Sequence, residues 1–156
     1  MKTIYLLILL FICSSCSAIK NNTISKKIVA IRTTAYHAKE SDHIKYGCKN
    51  AIGTVLKIGQ IATDWSVFPV GTKLRIDHKT YEVSDYGSAL VKPKNAVPTV
   101  DIYTSNRVAM NKWGVRHFND AEVIQWGSYE KSRELLSDRL KYKHCRIMYD
   151  RISEKL

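Results

Sequence analysis

From residue 28 to residue 126 the apolar side chains fall in short, β-branched runs, each cut off by a glycine or a proline. The runs are residues 28–36 (IVAIRTTAY), 54–58, 61–63, 73–76, 80–84, 100–103 and 122–126, punctuated by Gly53, Gly59, Pro69-Val70-Gly71, Gly87 and Pro98. Stiff β-branched and aromatic side chains suit a pleated surface, so these runs predict strands. Residues 37–50, with several charges and Gly47, predict a loop. Many short strands at close turn spacing point to a small barrel or a sandwich.

Helical periodicity is confined to two places. Residues 105–112 (SNRVAMNK) begin with a capping residue and stop before Gly114, which predicts a short helix. After residue 128, Leu136, Leu140, Met148 and Ile152 recur at multiples of four among many basic residues. That spacing predicts an amphipathic helical extension over 128–156, with a break in its middle. Its apolar stripe can pack on the barrel, and its basic face could instead meet a membrane surface or a glycan.

The N-terminus has a different character. Lys2 is followed by the apolar run 4–12 and then by Ser14, Ser15, Cys16, Ser17 and Ala18. The run is shorter than the roughly 20 residues that span a bilayer, so residues 1–18 read as an export signal. Cleavage would follow Ala18, or precede Cys16 if Cys13-Ser14-Ser15-Cys16 is a degenerate lipoprotein box. Cys16 is thus a candidate lipidation site, and the expected location is the periplasm or cell envelope, with an outer-membrane lipoprotein as the anchored form. Residues 19–32 are expected to be linker and entry to the first strand.

Export leaves Cys48 and Cys145 for the folded part, a candidate disulfide in an oxidising compartment, with free thiols as the alternative. The net charge of +11 falls only to about +10 on removal of residues 1–18, because Lys2 is the one charged residue among them. Such a balance favours anionic partners. Export turns attention to envelope polymers, and no nucleic-acid motif is present, so nucleic acid is not expected. The five histidines lack ligand spacing, and no metal site or cofactor is expected.

Three aspartates stand in or beside β-type runs: Asp64 in IATDWSVFPVGTKLRI, Asp85 in YEVSDYGSALV and Asp101 in VPTVDIYTSNRVAMNKWG. By strand alternation Tyr81, Val83 and Asp85 share one face, with Glu82 and Ser84 on the other. Asp85 either forms a turn closed by Gly87 or faces a groove. Alternation also places Asp101 with Thr99 and Tyr103, opposite Val100 and Ile102. A carboxylate in the middle of a β-branched strand lowers strand propensity, so a chemical role is the stronger reading for it.

These blocks, together with TTAYHAKESDHIKYGCKNAIGT upstream, resemble the 3D domain, named for three aspartates and similar to the catalytic barrel of membrane-bound lytic transglycosylase A. The likeness covers about residues 33–127. TAY, AIGT, D-x-x-x-x-P-x-G-T, D-x-G-x-A, D-I-Y and W-G-V-R occur in the family's order. What the resemblance implies is a mainly β chain: a six-stranded double-psi β-barrel with a short helix and the C-terminal helical extension. It also implies lytic cleavage of peptidoglycan strands between N-acetylmuramic acid and N-acetylglucosamine, leaving 1,6-anhydromuramic ends.

By the same resemblance Asp101 matches the catalytic position, acting as general acid and then base, and Asp85 its neighbour that tunes it. Asp64 matches the first aspartate, with a structural or groove-lining role. Tyr36, Tyr86, Gly87 and Tyr103 are the supporting residues; Tyr36, Tyr46, Tyr86, Tyr103 and Trp65 could stack on sugars or simply pack, and Trp113 and Trp126 are assigned to packing. The chain departs from the family at Tyr86, where threonine is usual, and in the longer interval from Asp85 to Asp101, which could reshape or partly cover the groove. The rival reading is a non-catalytic polysaccharide-binding module of the envelope.

Overall fold

In the computed structural model, which describes residues 27–39 and 47–156, six strands close into a barrel. They are β1 (Lys27–Tyr36), β2 (Gln60–Ala62), β3 (Lys73–Ile76), β4 (Lys79–Asp85), β5 (Thr99–Tyr103) and β6 (Arg116–Gln125), in spatial order β1-β5-β2-β4-β3-β6. The pairs β1–β5 and β2–β4 are parallel and the other four antiparallel. The expected mainly β barrel with a short helix and a helical tail is therefore what the chain forms.

Alternation fills the interior. Ile31, Ile61, Leu74, Val83, Val100, Ile102 and Val123 are all buried in one core. Each such side chain stabilises by about 1.5–3 kcal/mol relative to exposure. With Val100 and Ile102 pointing inward, β5 presents Asp101 and Tyr103 on its outer face. The β3–β4 hairpin turns on Asp77 and His78, whose φ angles of 48° and 62° give the left-handed pair of a two-residue hairpin loop.

Among the described residues three α-helices accompany the barrel: α1 (Arg107–Trp113), α2 (Tyr129–Ser137) and α3 (Lys143–Ser153). Asn106 rather than Ser105 caps α1, its side chain accepting from the Ala109 N–H at 2.9 Å. Ser128 caps α2 in the same way through the Lys131 N–H at 3.0 Å. The tail breaks between α2 and α3, and Leu136, Cys145, Met148 and Ile152 join the barrel core beside Trp65. Its apolar stripe packs on the barrel, and no described helix is long and apolar enough to cross a membrane.

Several sequence expectations change. Residues 54–58 form no strand, only a bridge from Val55 to Lys49; Val55 and Ile58 are exposed, so their apolar character reflects no sheet pairing. β6 starts at Arg116, not near Glu122, because pairing with β1 from Thr33 back to Lys27 extends it through a polar segment. Strand β1 begins at Lys27, one residue ahead of the expected 28–36 run. The Cys48–Cys145 disulfide is not formed: both thiols are free, Cys48 exposed in a loop and Cys145 on the buried face of α3. The expected signal segment and Cys16 lie outside the described residues.

Leaving β6, the chain crosses the 69–72 turn at Gly127. A Cβ there would lie 2.0 Å from the Val70 carbonyl oxygen and 2.5 Å from the Thr72 nitrogen. Only glycine permits this approach, and it sets Ser128 N to donate to the Val70 carbonyl at 3.1 Å, starting the tail.

Candidate active site

The site begins with a slip in strand pairing. Ile61 of β2 stands opposite Val83 of β4, but the next residue, Ala62, stands opposite Asp85, so β4 carries one extra residue there. Such a bulge reverses the alternation beyond it. Asp85 consequently leaves the core face shared by Tyr81 and Val83 and joins Ala62 on the outer face. This corrects the simple alternation of the sequence: the carboxylate is not aligned with the apolar residues before it. Ser84 sits at the bulge, buried, with its hydroxyl lacking a partner. The bulge is locked at the Asp85 carbonyl, which accepts from Thr63 N at 3.0 Å and Trp65 Nε1 at 2.8 Å.

Register then lines up four residues across four strands. Thr34 of β1 pairs with Asp101 of β5, Asp101 with Ala62 of β2, and Ala62 with Asp85 of β4. Asp101 and Asp85 thus flank the small side chain of Ala62, with backbones about 10 Å apart at two strand spacings. Leu56, Leu90 and Tyr36 pack with Ala62 in a second apolar cluster on this side of the sheet.

Each carboxylate is held differently. Asp85 is 7% exposed. Its Oδ1 accepts from the backbone N–H groups of Ala51 (3.1 Å) and Tyr86 (2.9 Å), and its Oδ2 from the Tyr36 hydroxyl (3.2 Å). Surrounding donors of this kind suit an ionised carboxylate. Asp101 is half-buried, and its Oδ1 accepts from Thr34 Oγ1 at 2.6 Å.

Tyr36 links the two. Burial, then the charge and hydrogen bond of Asp85, then the charge of Asp101 push its hydroxyl far above the ordinary tyrosine range. Both carboxylates therefore act on one phenol, which stays protonated and donating. Tyr36 is fixed at the end of β1, where its carbonyl accepts from Thr104 N (2.8 Å) and Thr104 Oγ1 (2.9 Å). Tyr103 meets its ring edge-on at 5.5 Å. A cleft of about 430 Å³ opens past Tyr103, lined also by Ile102, Thr104 and Trp113; Asp101, Asp85 and Tyr36 do not line it.

Asp64 is not part of this group. Its Oδ1 accepts from Ser66 N (2.9 Å) and Ser66 Oγ (2.6 Å), and its Oδ2 pairs with Arg151 of α3 at 3.1 Å. It fastens the tail to the barrel, in keeping with a structural role. The interval between Asp85 and Asp101 is tied to the same helix: the Lys92 carbonyl accepts from Arg151, and Lys94 pairs with Glu154. Gly87 is extended and carries the Leu90 N–H on its carbonyl at 3.0 Å. Trp65 is fully buried and packs edge-on with Tyr86 at 5.0 Å, so neither stands as a free stacking platform. Trp113 donates to Thr33 Oγ1 at 3.1 Å, and Trp126 stacks on Phe68 while remaining 43% exposed. Tyr46 lies outside the described residues.

Sequence reasoning had not singled out Thr34, Ala51 or Arg139. Thr34 was accessible, standing two residues before Tyr36 on the same strand face. Ala51 contributes only a backbone N–H, and Arg139 is distant in the chain; neither leaves a local signal. No protein-family model matches the chain, and no curated protein matches it.

Proposed function

We propose that this chain is an exported lytic transglycosylase of the 3D type, built on a double-psi barrel and cleaving peptidoglycan between N-acetylmuramic acid and N-acetylglucosamine. The observation that carries the reading is the placement of Asp101 and Asp85 on either side of Ala62, with the Tyr36 phenol donating to Asp85. The order of the TAY, AIGT, D-x-G-x-A and D-I-Y blocks supports it, since each supplies a group to this site: Tyr36, the Ala51 N–H, Asp85 and Asp101.

In this reading Asp101 begins protonated and gives its proton to the glycosidic oxygen as the bond to muramyl C1 breaks. The muramyl C6 hydroxyl then attacks C1, and the Asp101 carboxylate takes the hydroxyl proton. No water is consumed and Asp101 returns to its starting state, so one acid/base carboxyl suffices where ordinary glycosidases need a second to activate water or attack. Asp85 supplies fixed negative charge near the developing cation at C1. Tyr36 holds Asp85 in place through its hydroxyl. A net charge of about +10 after loss of residues 1–18 draws in the anionic glycan.

The test is digestion of purified sacculi by the protein, with mass spectrometry of the released fragments. Anhydro ends that disappear in Asp101→Asn are the expected result. Sedimentation with the wall and no release, at any protein concentration, would instead identify a binding module.

A further inference from the structure

The walls of the Asp85 nest are themselves held from behind by the C-terminal tail. Arg139, in the break between α2 and α3, donates from Nη2 to the Ala51 carbonyl at 2.8 Å and from Nη1 to the Tyr86 hydroxyl at 3.4 Å. Ala51 and Tyr86 are the two residues whose backbone N–H groups reach Asp85 Oδ1. One guanidinium therefore braces both donors of one carboxylate oxygen. Its own backbone is fixed by the turn that ends α2, with Arg139 N donating to the Leu136 carbonyl (2.9 Å) and Tyr142 N to the Arg139 carbonyl (3.0 Å). His144 lies near Tyr86 as well, its ring 5.6 Å away.

We infer that Arg139 is a positioning residue for Asp85: it sets the direction in which that carboxylate faces the surface shared with Asp101. The helical tail is then part of the site's construction. Ala51 and Tyr86 lie on separate loops, and without a common brace each could shift independently of the other. The forked guanidinium matters because it reaches two diverging acceptors at once, which an ammonium does not do with the same rigidity. The effect on turnover rests on the transglycosylase reading; the effect on the nest does not.

The experiment compares the wild-type chain with Arg139→Gln, Arg139→Lys and Tyr86→Phe, using Lys94→Ala as a control that loosens the same tail through an exposed ion pair. Amide hydrogen exchange followed by NMR is expected to speed up about tenfold or more at Ala51 and Tyr86 in Arg139→Gln, with β3 and β6 unchanged. Arg139→Lys should fall between. Tyr86→Phe should affect Tyr86 and leave Ala51 protected, and Lys94→Ala should affect neither. On sacculi, Arg139→Gln is expected to lower kcat roughly 10- to 100-fold with KM within about twofold, as for a misplaced catalytic group. Unchanged exchange at Ala51 and Tyr86, or a uniform acceleration across the barrel, would overturn the inference. A wild-type protein that releases no anhydro-ended fragments would remove the transglycosylase reading, while the exchange data still decide the role of Arg139.

Discussion

Asparagine placed at each of the two aspartates in turn should separate their roles, because the same isosteric change meets different surroundings. At Asp85 the new amide oxygen keeps the Ala51 and Tyr86 N–H bonds but loses their charge assistance, and its NH₂ group faces the Tyr36 hydroxyl. A hydrogen bond to a charged group contributes about 1.5–3 kcal/mol and a neutral one about 0.5–1.5, so three weakened bonds cost about 3–4.5 kcal/mol. For a domain of this size that lowers Tm by about 6–18 °C. At Asp101 the bond from Thr34 Oγ1 can pass to the amide oxygen at a half-exposed position, and the cost is about 1 kcal/mol or less. Thermal unfolding at pH 7 by circular dichroism, run beside muropeptide release, reads both quantities. Asp101→Asn should melt close to wild type and release nothing; Asp85→Asn should melt well below it. Equal destabilisation, or an Asp101→Asn protein that still cleaves, would refute this assignment.

Three further outcomes follow from the packing. Gly127→Ala should cost about 3 kcal/mol or more in a urea titration, because its Cβ would collide with the Val70 and Thr72 backbone. Arg151→Met should cost about 2–4 kcal/mol by the same method, since it leaves the buried Asp64 carboxylate without its cation; the Ser66 donors limit the loss. Tyr36 carries a hydroxyl raised above its ordinary value of 10.0. Its contribution is intact below pH 10 and is lost as pH rises beyond it, because only the unfolded chain ionises there, at about 1.4 kcal/mol per pH unit. Stability curves should steepen above pH 10 and do so less in Tyr36→Phe; an unaltered slope in that variant would show that Tyr36 is not the group responsible.

The sequence by itself determined the strand runs that close the barrel, since Val100 and Ile102 on β5 or Leu74 and Ile76 on β3 have no use except to be buried on one face. It also determined the amphipathic tail, and that Asp101 stands outward from a strand. What only the tertiary structure decided concerns relations between strands. The bulge that turns Asp85 outward is invisible in YEVSDYG, because the extra residue exists only relative to β2. The polar first half of β6 is a strand only because β1 pairs with it. Asp64 faces Arg151 and not the other aspartates, and Arg139 reaches the nest, because helix packing sets those distances and no local spacing encodes them. Periodicity records which face of an element seeks burial; which elements become neighbours, and in what register, depends on the closure of the whole barrel.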